Sequence, residues 1–131
     1  MKTYLNTLFI FFLISIPNIA KSQNLENFEE YIVNEWSLEY YETGGAKFPP
    51  KSGHENDKMI FTKEHKSESI NNGVSQVGTW EFDKENGILL VVEEKNEFKM
   101  KFKVISCTET NCVLELKNLQ GQKIRAFLVA N

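Results

Sequence analysis

The chain has 131 residues, with 15 Lys and Arg against 18 Asp and Glu, two cysteines and a single arginine. That is one domain's length and an ordinary globular composition, which excludes a multidomain enzyme and a disordered or fibrous chain. Net acidity with one arginine argues against nucleic-acid or anionic-membrane binding as the main business.

Met1 to Ser22 reads as a secretory signal peptide. It has a basic start at Lys2, an apolar run from Leu8 to Ile16, a break at Pro17-Asn18, and small residues at Ala20 and Ser22, which place cleavage after Ser22. The run is too short for a comfortable membrane span, and no stop-transfer segment follows it. The expected product is a secreted or periplasmic domain over residues 23–131, with no integral membrane association after cleavage. Losing Lys2 and Lys21 and no acid leaves 13 basic against 18 acidic residues, a net charge of −5.

Leu25, Phe28, Tyr31 and Ile32 fall at helical spacing and predict a short amphipathic helix. The period then changes to two: Trp36, Leu38 and Tyr40 alternate with Ser37, Glu39 and Tyr41, the pattern of a strand with one buried face. Gly44-Gly45, Pro49-Pro50 and Ser52-Gly53 punctuate one extended loop over Glu42–Asn56. Further strands are expected at Asp57–Lys63, Lys66–Ile70, Val74–Phe82, Gly87–Glu94, Glu97–Ser106, Cys112–Lys117 and Gln122–Val129, on joints rich in Asn, Asp and Gly. Hairpin joints cannot supply parallel crossovers, so the sheet is an antiparallel meander. Eight such strands close most economically into an all-β up-and-down barrel, which removes both edges.

Asn34-Glu35-Trp36 directly after a short helix, a long first loop, and a hairpin meander ending on a strand with a basic residue resemble the lipocalin/calycin pattern. The opening G-x-W signature of that superfamily has Asn34 in place of its glycine. Gly78-Thr79-Trp80, followed by Glu81-Phe82, makes the chain most similar to the small secreted bacterial lipocalin-like domains. The resemblance implies a barrel-closing contact in which a basic side chain of the last strand, Arg125, packs across Trp36. Alternation makes Ile124, Ala126 and Leu128 the inward set and points Arg125 outward, so a solvated surface arginine is the competing placement.

The inward-projected residues are Trp36, Leu38, Tyr40, Met59, Phe61, Trp80, Phe82, Phe98, Met100, Phe102, Val104, Leu114 and Leu116. Eight-stranded barrels lie at the boundary between a filled core and room for one small ligand. Gln76 and Gly78, on the Trp80 face, are the features that point to a polar contact or space inside. The resemblance also implies that the first loop covers the barrel mouth, with Phe48 beside Pro49-Pro50 as a hydrophobic lid. Cys107 and Cys112 bracket a hairpin turn and are expected to pair as a disulfide in an exported protein. Strict alternation puts them on opposite faces, so pairing demands a bulge. Lys99, Lys101 and Lys103 read as the outer face of a strand whose lysines discourage edge pairing.

His54 and His65 lie on irregular segments with scattered acids and predict no metal site. No cofactor motif or nucleophile arrangement is present, and no residue group argues for an enzyme. Two readings follow. The first is a binding protein that holds a small hydrophobic or amphipathic ligand in the barrel. The second is a filled barrel that acts on another protein through its loops or outer surface.

Overall fold

A computed structural model describes residues 25–131; the expected signal peptide lies outside them. The helical spacing near the start yields a single turn, α1 (Phe28–Tyr31). It is followed by β1 (Glu35–Thr43), β2 (Ala46–Phe48), β3 (Lys58–Phe61), β4 (Lys66–Asn71), β5 (Val74–Asp83), β6 (Ile88–Glu93), β7 (Lys99–Cys107), β8 (Asn111–Lys117) and β9 (Lys123–Ala130). Strands β3 to β9 pair antiparallel in sequence order, and β1 joins β3 on one side to β9 on the other. The result is the expected closed, eight-stranded up-and-down barrel, with β2 as an extra strand.

That extra strand corrects the expected loop. Gly44 and Gly45 both take positive φ (59° and 80°), which suits a tight two-residue hairpin turn, so β1 doubles back as β2 and pairs Thr43 with Ala46 and Tyr41 with Phe48. Only the segment after Phe48 is irregular. Asn72-Gly73 turns β4 into β5 in the same way, with φ of 51° and 80°.

Two β-bulges re-aim the side chains that follow them. In β1 the register with β9 slips between Leu38 and Tyr40, which makes Glu39 the extra residue. In β7 it slips against β8 between Val104 and Ser106, which makes Ile105 the extra residue. A one-residue insertion moves every later side chain to the other face.

The core gathers at the end where β1 begins. Phe28, Ile32, Trp36 and Leu89 are fully buried, and Phe61 and Trp80 nearly so; Leu114, midway along β8, is buried as well. Phe28 meets Phe82 with ring centroids 4.3 Å apart, so α1 plugs this end. Both indole N–H groups are satisfied: Trp36 Nε1 donates to the Ile32 carbonyl (2.9 Å) and Trp80 Nε1 to the Thr62 carbonyl (3.0 Å). Gly78 corrects another expectation. A Cβ there would stand 2.1 Å from the Val92 carbonyl oxygen, so the missing side chain marks a close backbone approach, not interior room.

Candidate functional site

Opposite the α1 plug lies the end formed by the close of β1, the β2 hairpin and the starts of β3, β5, β7 and β9. Register fixes which side chains look inward there. Met59 pairs with Trp36 and with Ser69, Ser69 with Gln76, Gly78 with Glu93, and Val91 with Met100. On the other wall Leu116 pairs with Ile124, Leu114 with Ala126, and Ala126 with Tyr41. Leu38, Met59, Met100 and Leu116 pack against the core yet remain half-buried, unlike the sealed residues near α1. Ser67 and Ser69 are buried small polar side chains on the same inner wall, and Gln76 and Glu93 stand above them toward the rim.

Of the residues expected to line a ligand site, Trp36, Phe61, Trp80 and Phe102 lie in the sealed half. Phe82 is half-buried beneath Phe28 at the plugged end. Leu38, Met100 and Leu116 are inward-facing and half-buried, and Gln76 is exposed.

Three placements differ from expectation. Tyr40 is directed outward by the Glu39 bulge: it stacks on outward-facing Phe127 at 4.4 Å, with Lys47 Nζ 4.8 Å from its ring centre. Tyr41 takes its place on the inner face and stacks with Phe48 at 5.4 Å. Phe98 precedes β7, because Glu97 has a φ of 52° and the chain is not yet extended there; its side chain is 57% exposed. Arg125 does not close the barrel over Trp36. It pairs in register with Glu42, whereas Trp36 pairs with Ala130, five residues or about 16 Å along β9. Its Nε donates instead to Glu115 Oε2 on the outer wall (2.9 Å).

Phe48 sits 40% exposed on the β2 hairpin, beside Tyr41. Cys107 and Cys112 are buried cross-strand partners, because the Ile105 bulge turns Cys107 to the Cys112 face. Both are thiols in this structure, and hydrogen bonding with Cys107, followed by burial, pushes the Cys112 thiol far above its usual range. His54 Nδ1 is tied to Asp57 Oδ2 at 2.8 Å, and among the described residues no three potential metal ligands converge.

Sequence reasoning missed Tyr41, Ser67, Ser69 and Glu93. The serines had a signal: Lys66-Ser67-Glu68-Ser69 alternates large charged with small polar residues, the pattern of a strand whose inner wall is polar. The architecture defines the class, a closed antiparallel eight-stranded barrel compatible with a lipocalin-like fold. Comparison with protein-family models and with curated proteins finds no match to this chain.

Proposed function

We propose that this protein is an exported, lipocalin-like binding protein of the small secreted bacterial kind. In this reading a small hydrophobic or amphipathic ligand occupies the open half of the barrel. The observation that carries it is the unequal burial of inward-facing side chains. Trp36, Phe61, Trp80 and Leu89 are sealed, whereas inward-facing Leu38, Met59 and Met100 stay half-buried; Leu116 is half-buried as well and also borders the outer cleft beside Lys117. Their apolar surface supplies the driving force, at about 25 cal/mol per Å² removed from water. Ser69, Gln76 and Glu93 offer polar contacts for a headgroup, and the stacked Tyr41 and Phe48 form an aromatic edge.

Native mass spectrometry of the chain lacking residues 1–22, incubated with long-chain fatty acids and with a total lipid extract, tests the reading. The expected result is a one-to-one adduct that Met100→Trp abolishes by filling the cup. If the protein stays unliganded with both and Met100→Trp leaves fluorescent fatty-acid displacement unchanged, the proposal fails. The sealed half of the interior favours the competing reading of a filled interaction module, which predicts that outcome.

A further inference from the structure

The lysines of the last three strands gather on one stretch of outer wall. Along Lys99–Lys103 β7 is paired with β6, but with β8 only from Lys103 onward, so Lys99 and Lys101 flank a stretch of open edge inside an otherwise closed barrel. The β7–β8 ladder stops at Lys103 opposite Glu115, and the splayed ends beyond it leave a surface cleft ringed by Lys99, Lys101, Lys103, Lys117 and Lys123. All five are exposed, and among the described residues none has a carboxylate within ion-pair distance. Lys117 and Lys123 are direct cross-strand partners, an arrangement that destabilises a sheet. Glu115 is the one acid in the cleft, and Arg125 already engages it at 2.9 Å. The pair offsets itself, and the nearest further acids, Glu81 and Asp83, share a neighbouring cleft with Lys101 alone, which leaves an excess of lysine on a chain whose overall charge is negative. Net acidity therefore conceals a local cationic surface.

Two apolar side chains flank that surface. Phe98, immediately before Lys99, is 57% exposed, and Leu119, in the turn between Lys117 and Lys123, is fully exposed. Lysine stems shielding the outer Ile88, Leu90 and Val92 of β6 account for part of the pattern. They do not account for Lys117, Lys123 or the two apolar tips.

We infer that this wall docks on an anionic phospholipid surface. The lysines meet headgroup phosphates, while Phe98 and Leu119 enter the headgroup–acyl boundary. A soluble polyanion would use the same lysines but would leave Leu119 in water. Because the surface lies outside the barrel, the inference does not rest on the ligand reading.

Co-sedimentation of the chain lacking residues 1–22, which holds the whole described fold, tests it with two vesicle types. One is phosphatidylcholine alone; the other is phosphatidylcholine with one-third phosphatidylglycerol. Binding is expected only to the anionic vesicles and should fall as salt is raised. At roughly fivefold per lysine, the triple variant Lys101→Gln, Lys117→Gln, Lys123→Gln should lose about a hundredfold in partitioning. The tip variant Phe98→Ser, Leu119→Ser should lose severalfold on vesicles yet bind dextran sulfate as the parent does. Circular dichroism confirms that each variant is folded. Equal binding to neutral vesicles, no vesicle binding, or indifference to either variant overturns the inference; indifference to the tip variant alone reassigns the wall to a soluble polyanion.

Discussion

Replacing Gly78 with alanine tests the close approach of β6 to the β5 backbone. Glycine to alanine in an extended strand, with ordinary φ and free space, stabilises a protein by about 0.4–1 kcal/mol through the unfolded state. Here the new Cβ would meet the Val92 carbonyl oxygen at 2.1 Å, the Val92 carbonyl carbon at 2.9 Å and the Glu93 Cα at 3.1 Å. All three are backbone atoms, so no rotamer change relieves the clash. The β5–β6 pair must separate by about 1 Å at Gly78 and Glu93. Overpacking strain costs about 1–3 kcal/mol, and a weakened ladder bond costs about 1 more. The sign therefore reverses, to a net loss of about 2–4 kcal/mol. At about 4–8 °C per kcal/mol for a domain near this size, Tm should drop by about 8–32 °C. Thermal and urea unfolding followed by circular dichroism read the change. Gly44→Ala and Gly121→Ala serve as controls: nothing lies within 4 Å of either new Cβ, but φ is +59° and +79°, and each should cost about 1 kcal/mol. If Gly78→Ala matched the parent within about 0.5 kcal/mol or exceeded it, close backbone approach would not be what the glycine is for.

Three further outcomes are expected. In an oxidising buffer Cys107 and Cys112, already cross-strand partners, should form a disulfide, read as a mass loss of two hydrogens. Closing so short a loop contributes about 2 kcal/mol. In the folded, reduced protein both thiols should resist alkylation, since burial and their mutual contact keep Cys112 protonated. Arg125 holds the Glu115 carboxyl below its usual range, with Lys123 and Lys103 adding to the effect. Its stabilisation is therefore complete above the unfolded carboxylate value, about 4.3, and disappears as pH falls through the folded value. Glu115→Gln should then cost about 1 kcal/mol at neutral pH and nothing in strong acid, measured as Tm against pH, because half-exposed Arg125 limits the pair's worth. Tyr41→Ala should weaken fatty-acid displacement severalfold while Tyr40→Ala leaves it unchanged; the reverse ranking would contradict the Glu39 bulge.

The strands and their order were legible because period two and turn chemistry act locally. Phe102 and Val104 between lysines, or Asn72-Gly73 between two strands, declare their structure within a few residues. The bulges were not, because one inserted residue leaves no compositional trace; it shows only when the partner strand is known. Tyr40 and Tyr41 are chemically near-equivalent, so nothing in the sequence says which one faces in. Cys107 carried a hint, since pairing with Cys112 demanded an irregularity that β7 supplies at Ile105. The short β2 lay hidden behind Gly44-Gly45 in a stretch whose other glycine and prolines read as loop. Arg125 was assigned by resemblance to a contact with Trp36, and alternation, the local signal, was the better guide. The convergence of Lys117 and Lys123 with the β7 lysines depends on pairings across three strands, which no single segment encodes.

Closure of the sheet joins β1 to β9, the first and last strands of the barrel. Every other ladder joins strands that are neighbours in sequence or, for β1 and β3, separated only by the short β2, and can form as soon as both have been made. The seam between Trp36 and Ala130 must wait until β9 exists and then bring together segments about ninety residues apart, an entropic cost incurred late and at once. Until then β1 and the newest strand are raw edges, open to pairing with another chain. Synthesis thus leaves a window in which the molecule is a growing ribbon. Its vulnerability to aggregation is set by how quickly the final hairpin finds the first strand.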